Sequence, residues 1–154
     1  MRAEIGHPAR SRRPRTFPLA TPLFQELLPF ASFATVPKGD LLFRPDQAAP
    51  GVYLIGEGSV TLLWTTQRSI RTLATAGPGS VIGVAAALNG RESVTARAAH
   101  DTAVGFVSTQ TLLQQMDANP RIRTLVLNET ARETLQVESF IASNATRIGW
   151  RFTY

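Results

Sequence analysis

Short apolar segments separated by turn residues fill the middle of the chain. The predicted strands are 33–36, 41–43, 52–55, 59–64, 69–74, 81–83, 94–98 and 102–107. Glycine and proline stand between most of them, where glycine supplies positive φ and proline pre-sets the bend of a turn. Closely spaced strands of this kind are typical of a sandwich, barrel or roll and not of a βαβ sheet.

The apolar spacing is helical on both sides of the strands. Leucine and phenylalanine recur at helical intervals in 21–30, where Pro29 would end a short helix. Ser108 is a suitable N-cap for a helix that continues to about residue 118. Asn119 and Pro120 then suit the N-cap and first position of a long helix that extends to residue 144. The pattern therefore predicts a mainly β fold with a short N-terminal helix and a long C-terminal helix.

Composition narrows the class of protein. The chain has 154 residues, which suits one domain, with 44% hydrophobic and 18% charged residues, as in globular proteins. It has no cysteine, which excludes disulfides, thiolate metal sites and iron–sulfur clusters. Neither a long apolar run nor a secretory signal is present. We therefore expect a cytoplasmic protein with no membrane segment.

The net charge of +5 is concentrated at the N-terminus, where five arginines and one glutamate lie in the first fifteen residues. We interpret residues 1–20 as a disordered basic leader. Weak binding of this leader to nucleic acid or to an acidic lipid surface is the alternative. The nearly neutral remainder does not have the basic surface that is typical of a nucleic-acid-binding domain.

Five short landmark segments, four of which contain glycine or proline, occur in a characteristic order. They are Pro37-Lys38-Gly39-Asp40, Gly51 to Ile55 followed by Gly58, Gly77-Pro78-Gly79-Ser80, Val81-Ile82-Gly83, and Val94-Thr95-Ala96-Arg97-Ala98. Over residues 25–143 the chain resembles the cyclic nucleotide-binding domain of bacterial Crp/Fnr transcription regulators. The resemblance implies a jelly roll (β-roll) over residues 21–118, a dimerisation-type helix over 119–144 and a tail at 145–154.

The resemblance also implies a ligand site in the cassette segment, which we define as residues 83–98. Its candidate ligand-binding residues are Gly83, Val84, Ala85, Arg91, Ser93, Val94 and Thr95. In the family, a glutamate follows the first glycine and binds the ribose, and an arginine later in the segment binds the cyclic phosphate. Val84 and Glu92 occupy those two positions here.

A carboxylate at the position of the arginine would repel a phosphate. Arg91, one residue earlier, is the side chain that could compensate. We therefore predict a ligand-sensing regulatory domain with a degenerate cassette that does not bind cyclic AMP tightly. An open, positively lined pocket beside Gly83 would indicate a ligand, whereas a pocket filled by side chains would indicate a structural module.

The resemblance predicts a homodimer through the helix at 120–144. Family members usually continue into a winged helix-turn-helix, which this sequence lacks, so DNA binding would require a partner that supplies one. A transcription regulator of that kind is one alternative. A cupin-like metal enzyme is another, but it would need several histidines, and the chain has only His7 and His100. We expect no catalytic residues, no metal and no enzymatic activity.

Overall fold

The computed structural model describes residues 19–144. The described residues form four helices, a 3₁₀ turn and eight strands. In chain order they are α1 (Pro22–Leu27), the 3₁₀ turn (Leu28–Phe30), β1 (Ser32–Val36), β2 (Leu41–Phe43), β3 (Gly51–Ile55), β4 (Val60–Thr65), β5 (Ile70–Ala76), β6 (Val81–Ile82), α2 (Val84–Asn89), β7 (Thr95–Ala98), β8 (Thr102–Ser108), α3 (Thr109–Ala118) and α4 (Pro120–Asn144). The predicted leader up to residue 18 and the tail at 145–154 lie outside the described residues.

The strands form two antiparallel sheets that pack face to face. One sheet has the order β1-β8-β3-β6 and the other β2-β7-β4-β5. Strands distant in the chain are neighbours in each sheet, as in a jelly roll, and the predicted fold class is confirmed. Several predicted strand ends differ from the structure by one or two residues, and one of them bears on the site, since Gly83 does not extend β6. Its φ of +79° ends the strand, and α2 begins at the next residue.

Two apolar clusters lie on opposite faces of β3, which is why all five of its residues are buried. Val52 and Leu54 face the helices and belong to a helix-side core with residues of α1, α3 and α4. Tyr53 and Ile55 face the second sheet and belong to an inter-sheet core. The alternation follows from the two-residue period of a strand. Each fully buried aliphatic side chain contributes about 1.5–3 kcal/mol to folding.

The caps of the C-terminal helices are those that the sequence predicts. The Ser108 hydroxyl accepts a hydrogen bond from the Thr111 amide at 3.1 Å, and the Asn119 side chain accepts one from the Arg121 amide at 3.0 Å. These side chains satisfy first-turn amides that have no partner within the helix. The Asn119 cap marks where the 25-residue helix α4 starts and therefore which residues this helix carries across the roll.

The two ends of α4 pack differently. Ile122 and Val126, near its start, are buried in the helix-side core. Near its end, the ring of Phe140 lies 6.3 Å from the ring of Trp64 on β4. The middle of α4 therefore passes over the cassette segment, which contacts it through α2. No helix among residues 19–144 is both long and apolar enough to cross a membrane.

Candidate functional site

The cassette segment begins with a tight turn between β6 and α2. Gly83 has a φ of +79°, a conformation that favours glycine. A Cβ at this position would lie 3.5 Å from the Tyr53 ring and 3.9 Å from the Glu92 carboxylate. The short helix α2 then ends at Gly90, whose φ is +96°. After the turn at Gly83, the start of α2 faces α4.

A carboxylate from α4 binds the first amides of α2. The Ala85 amide donates a hydrogen bond of 2.9 Å to Oε1 of Glu133, and the Val84 amide donates one of 3.3 Å to Oε2. The first turn of α2 has no acidic residue, and its N-cap residue is the glycine. The amides at a helix start lack internal partners and carry partial positive charge. Glu133 therefore caps a helix that lies nearly fifty residues earlier in the chain.

The environment of Glu133 raises its pKa to about 7, mainly because burial disfavours the charged form. The hydrogen bonds from Ala85 and Val84 and the positive charge of Arg132 oppose this increase, whereas the charge of Glu129 adds to it. Arg132 in turn forms a salt bridge with Glu129. Near neutral pH, the carboxyl that caps α2 is therefore close to its titration midpoint.

Glu92 is the second carboxyl group of this region, and it is only 3% exposed. Its Oε2 has no hydrogen-bond partner among the described residues. Burial, and then the charge of Glu133, raise its pKa to about 8. Backbone hydrogen bonds at 3.0 Å to Gln47 and from Asp46 hold the residue in place. Burial and the charge of Glu92 also raise the pKa of Tyr53, to about 12.

A cavity of about 210 Å³, here called the cassette cavity, lies between the cassette segment, the second sheet and α4. Its apolar lining residues include Phe43, Leu62, Leu73, Ile82, Val94 and Val137. Its polar lining residues include Asn89, Glu92, Ser93, Arg132, Glu133, Gln136 and Glu138. Three carboxyl groups thus share the lining with one guanidinium, which is already paired with Glu129. The cavity is acidic, and it does not have the positive lining that an anionic ligand would favour.

The predicted site residues separate into two groups. Gly83, Ala85, Ser93 and Val94 line the cassette cavity. The other three lie elsewhere. Val84 is buried in the helix-side core, Thr95 is half-buried in β7, and Arg91 is exposed. The Arg91 guanidinium donates a hydrogen bond of 2.7 Å to the Asp46 carbonyl and is not among the residues that line the cavity.

The sequence interpretation missed the contribution of α4. Glu133 and Arg132 line the cavity from a helix for which only dimerisation was predicted. A weak signal was available, because the first turn of α2 offers no acidic or capping side chain of its own. The partner of those amides could be anywhere in the chain, and helical periodicity does not identify it.

A family match connects the sequence of this chain to known proteins. The sequence model of the cyclic nucleotide-binding domain matches residues 33–119. No curated protein sequence matches the chain.

Several solved structures share the fold. The catabolite activator protein of Thermus thermophilus superposes with a TM-score of 0.69 at 24% identity, covering 83% of this chain and 61% of its own. The c-di-GMP responsive global regulator CLP of Xanthomonas campestris superposes with a TM-score of 0.66 at 19% identity, and the match covers 80% of this chain and 63% of that protein. The N-terminal domain of a transcriptional regulator from Streptomyces coelicolor A3(2) superposes with a TM-score of 0.60 at 24% identity, and the match covers 79% of this chain and 89% of that domain. The chain thus spans less than two thirds of the first two proteins.

Proposed function

The chain belongs to the cyclic nucleotide-binding domain family, and we propose that it is a non-enzymatic regulatory sensor domain of the Crp/Fnr type. In this proposal its cassette does not bind cyclic AMP or cyclic GMP tightly. The similarity to bacterial regulators supports the sensor role, and the geometry of the cassette cavity supports the loss of cyclic nucleotide binding.

The observation that carries this proposal is the pair of hydrogen bonds from Val84 and Ala85 to Glu133. A cyclic phosphate in this fold would need the amides at the start of α2, and an attached carboxylate already binds them. A phosphate would also meet the Glu92 side chain. Below about pH 8 this side chain is protonated and offers no positive charge to a phosphate, and its ionisation at higher pH would add repulsion.

Titration calorimetry with cyclic AMP and cyclic GMP tests this proposal. We expect no saturable binding at ligand concentrations of about 100 μM, which would correspond to a binding free energy of about −5.5 kcal/mol. Sub-micromolar affinity for either nucleotide would overturn it. Arg91→Ala serves as a second check, because its guanidinium is directed to the Asp46 carbonyl and should not contribute to any residual affinity.

A homodimer through α4 is the second part of the proposal. Leu127 and Leu135 are 53% and 60% exposed, and Ala131 lies between them. Residues four apart share one face of a helix, so the three form an apolar strip on the outer side of α4. A second copy of the same strip would cover it in a symmetric, self-complementary interface.

Sedimentation velocity tests the dimer. We expect the wild type to sediment as a dimer and Leu127→Glu with Leu135→Glu to sediment as a monomer. Ile70→Glu is the matched control, because Ile70 is 65% exposed on β5 and lies outside the apolar strip on α4. A dimer that survives the two α4 substitutions, or one that Ile70→Glu dissociates, would contradict the assignment of the interface.

A further inference from the structure

The cassette cavity contains a hydrogen-bond acceptor without a donor. Glu92 lines the cavity and is 3% exposed, and its Oε2 has no partner within residues 19–144. Buried polar groups normally have a hydrogen-bond partner, and an unpaired carboxyl oxygen costs more free energy than an unpaired neutral group. A ligand that supplies an N–H donor would satisfy this oxygen.

The charged and titratable groups around Glu92 are mainly acidic. The helix α4 contributes Glu133, Glu138 and Arg132 to the cavity, and the guanidinium of Arg132 is bound to Glu129. Strand β3 contributes Tyr53, whose hydroxyl is neutral at physiological pH because its pKa is about 12. The local field therefore favours a cation over the anion that the family's fold was expected to bind.

The apolar part of the cavity limits the size and shape of the ligand. Phe43, Leu62, Leu73 and Ile82 line it from the two sheets. Its volume of about 210 Å³ is below the range of roughly 300–1,000 Å³ that is typical of sites for drug-sized ligands. A small ligand with one charged end and one apolar end would match both the carboxyl groups and this lining.

We propose that the cassette cavity binds a small primary ammonium ion with a short apolar body. The ammonium group donates hydrogen bonds to Oε2 of Glu92 and lies close to Glu133, and the apolar body contacts the side chains of the two sheets. The proposal rests on the proposed function only in requiring that no cyclic nucleotide fills the cavity. A metal ion fits less well, since no group of three or more His, Cys, Asp or Glu within residues 19–144 is placed so that it could hold one.

The proposal implies that binding is coupled to proton release. An ammonium ion pairs with ionised carboxylates, whereas the pKa of Glu92 is about 8 and that of Glu133 about 7 in the empty cavity. At pH 7 a bound ammonium ion therefore expels protons, mainly from Glu92. Affinity should rise with pH up to about 8, because alkylammonium ions stay charged to about pH 10, as lysine does.

Calorimetry with isopentylamine and with its uncharged isostere isopentanol tests the site, and phenethylamine with 2-phenylethanol forms a second pair. At pH 8 we expect each amine to bind at least about tenfold more tightly than its alcohol, the gain typical of one charge-assisted hydrogen bond. At pH 7, titrations in buffers of different ionisation enthalpy should reveal release of about one proton per amine bound. Equal affinity for amine and alcohol, or no binding of either amine at about 5 mM, would overturn the proposal.

Glu92→Gln is the decisive variant, because it keeps the size of the side chain and removes the carboxylate. It should abolish the preference for the amine and remove most of the proton release. Asp117→Asn is the matched control, since it removes an exposed carboxylate on α3 that does not line the cavity and should change the amine affinity less than about twofold. Equal losses in the two variants would mean that the amines respond only to overall charge and would refute the site.

Cyclic AMP added in the same titrations separates the two proposals. Tight binding of cyclic AMP would defeat the proposed function whatever the amines do. Absence of binding by both the nucleotide and the amines would leave the proposed function standing and refute the ammonium site alone.

Discussion

The helix-side core and the cassette cavity lie at two places along α4, and they differ in the side chains they bury. The helix-side core is made of apolar residues, and α4 contributes Ile122 and Val126 to it. The cassette cavity, one to two turns further along, buries the carboxyl group of Glu92 beside that of Glu133. The first region stabilises the fold. The second contains groups that weaken it, which is typical of functional sites.

The contrast predicts that substitutions in the two regions change the free energy of unfolding in opposite directions. Removal of an apolar side chain from the first region should destabilise the fold. Neutralisation of a buried carboxyl in the second should stabilise it at alkaline pH. Three measurements test this division.

The largest effect is expected in the helix-side core. Leu54→Ala removes a fully buried side chain from β3 and should lower the free energy of unfolding by about 3–4 kcal/mol, because it leaves a cavity in a close-packed region. Urea unfolding measures this. Ile70→Ala, at a position that is 65% exposed, is the control and should change stability by less than about 0.5 kcal/mol. Similar changes in the free energy of unfolding for the two variants would mean that the helix-side core does not stabilise the fold as its burial predicts.

The second effect concerns pH. Between about pH 4.5 and pH 8 the folded protein keeps a proton on Glu92 that the unfolded chain has already lost. Stability should therefore fall as pH rises through this window, by about 1 kcal/mol per pH unit, and level off above pH 8. Glu133 adds to the decrease below about pH 7.

Glu92→Gln should flatten this decrease and be more stable than the wild type at pH 9. Urea unfolding at a series of pH values measures both slopes. If the wild type and the variant have the same slope, Glu92 does not titrate in the folded protein as its burial predicts.

The smallest effect concerns the cap on α2. Glu133→Ala removes the acceptor of the Val84 and Ala85 amides and so leaves the first turn of α2 without its cap. Hydrogen exchange of these two amides should become faster than in the wild type. Glu138→Ala, further along the same helix and exposed, should leave both amides unchanged. Unchanged exchange in Glu133→Ala would mean that the cap does not protect α2.

Most of the fold could be predicted from the sequence because its signals are local. Turn glycines and prolines mark the strand ends, and the caps Ser108 and Asn119 mark the starts of α3 and α4. Even so, Gly83 was misread as a strand residue. Its φ of +79° begins the turn into α2, and a glycine after two apolar residues does not by itself show where a strand ends.

The candidate site could be predicted only in part. The cassette segment was identified through its resemblance, and Glu92 was identified as a carboxylate in the position of an arginine. Glu133 was missed, because its contact with α2 depends on how α4 crosses the roll. The packing of α4 at both ends, through the burial of Ile122 and Val126 and the contact of Phe140 with Trp64, accompanies that crossing. Long-range hydrogen bonds of this kind follow from tertiary packing, which periodicity and spacing do not encode.

The bond between Glu133 and the start of α2 has a consequence for competition. A side chain tethered on a packed helix meets its binding partner at an effective concentration that is typically millimolar or higher, and dilution of the protein does not change it. Any free anion that seeks the same amides must outcompete this internal one. A weakly binding metabolite would therefore not displace Glu133 at ordinary cellular levels, and the amides would become accessible when α4 itself moves.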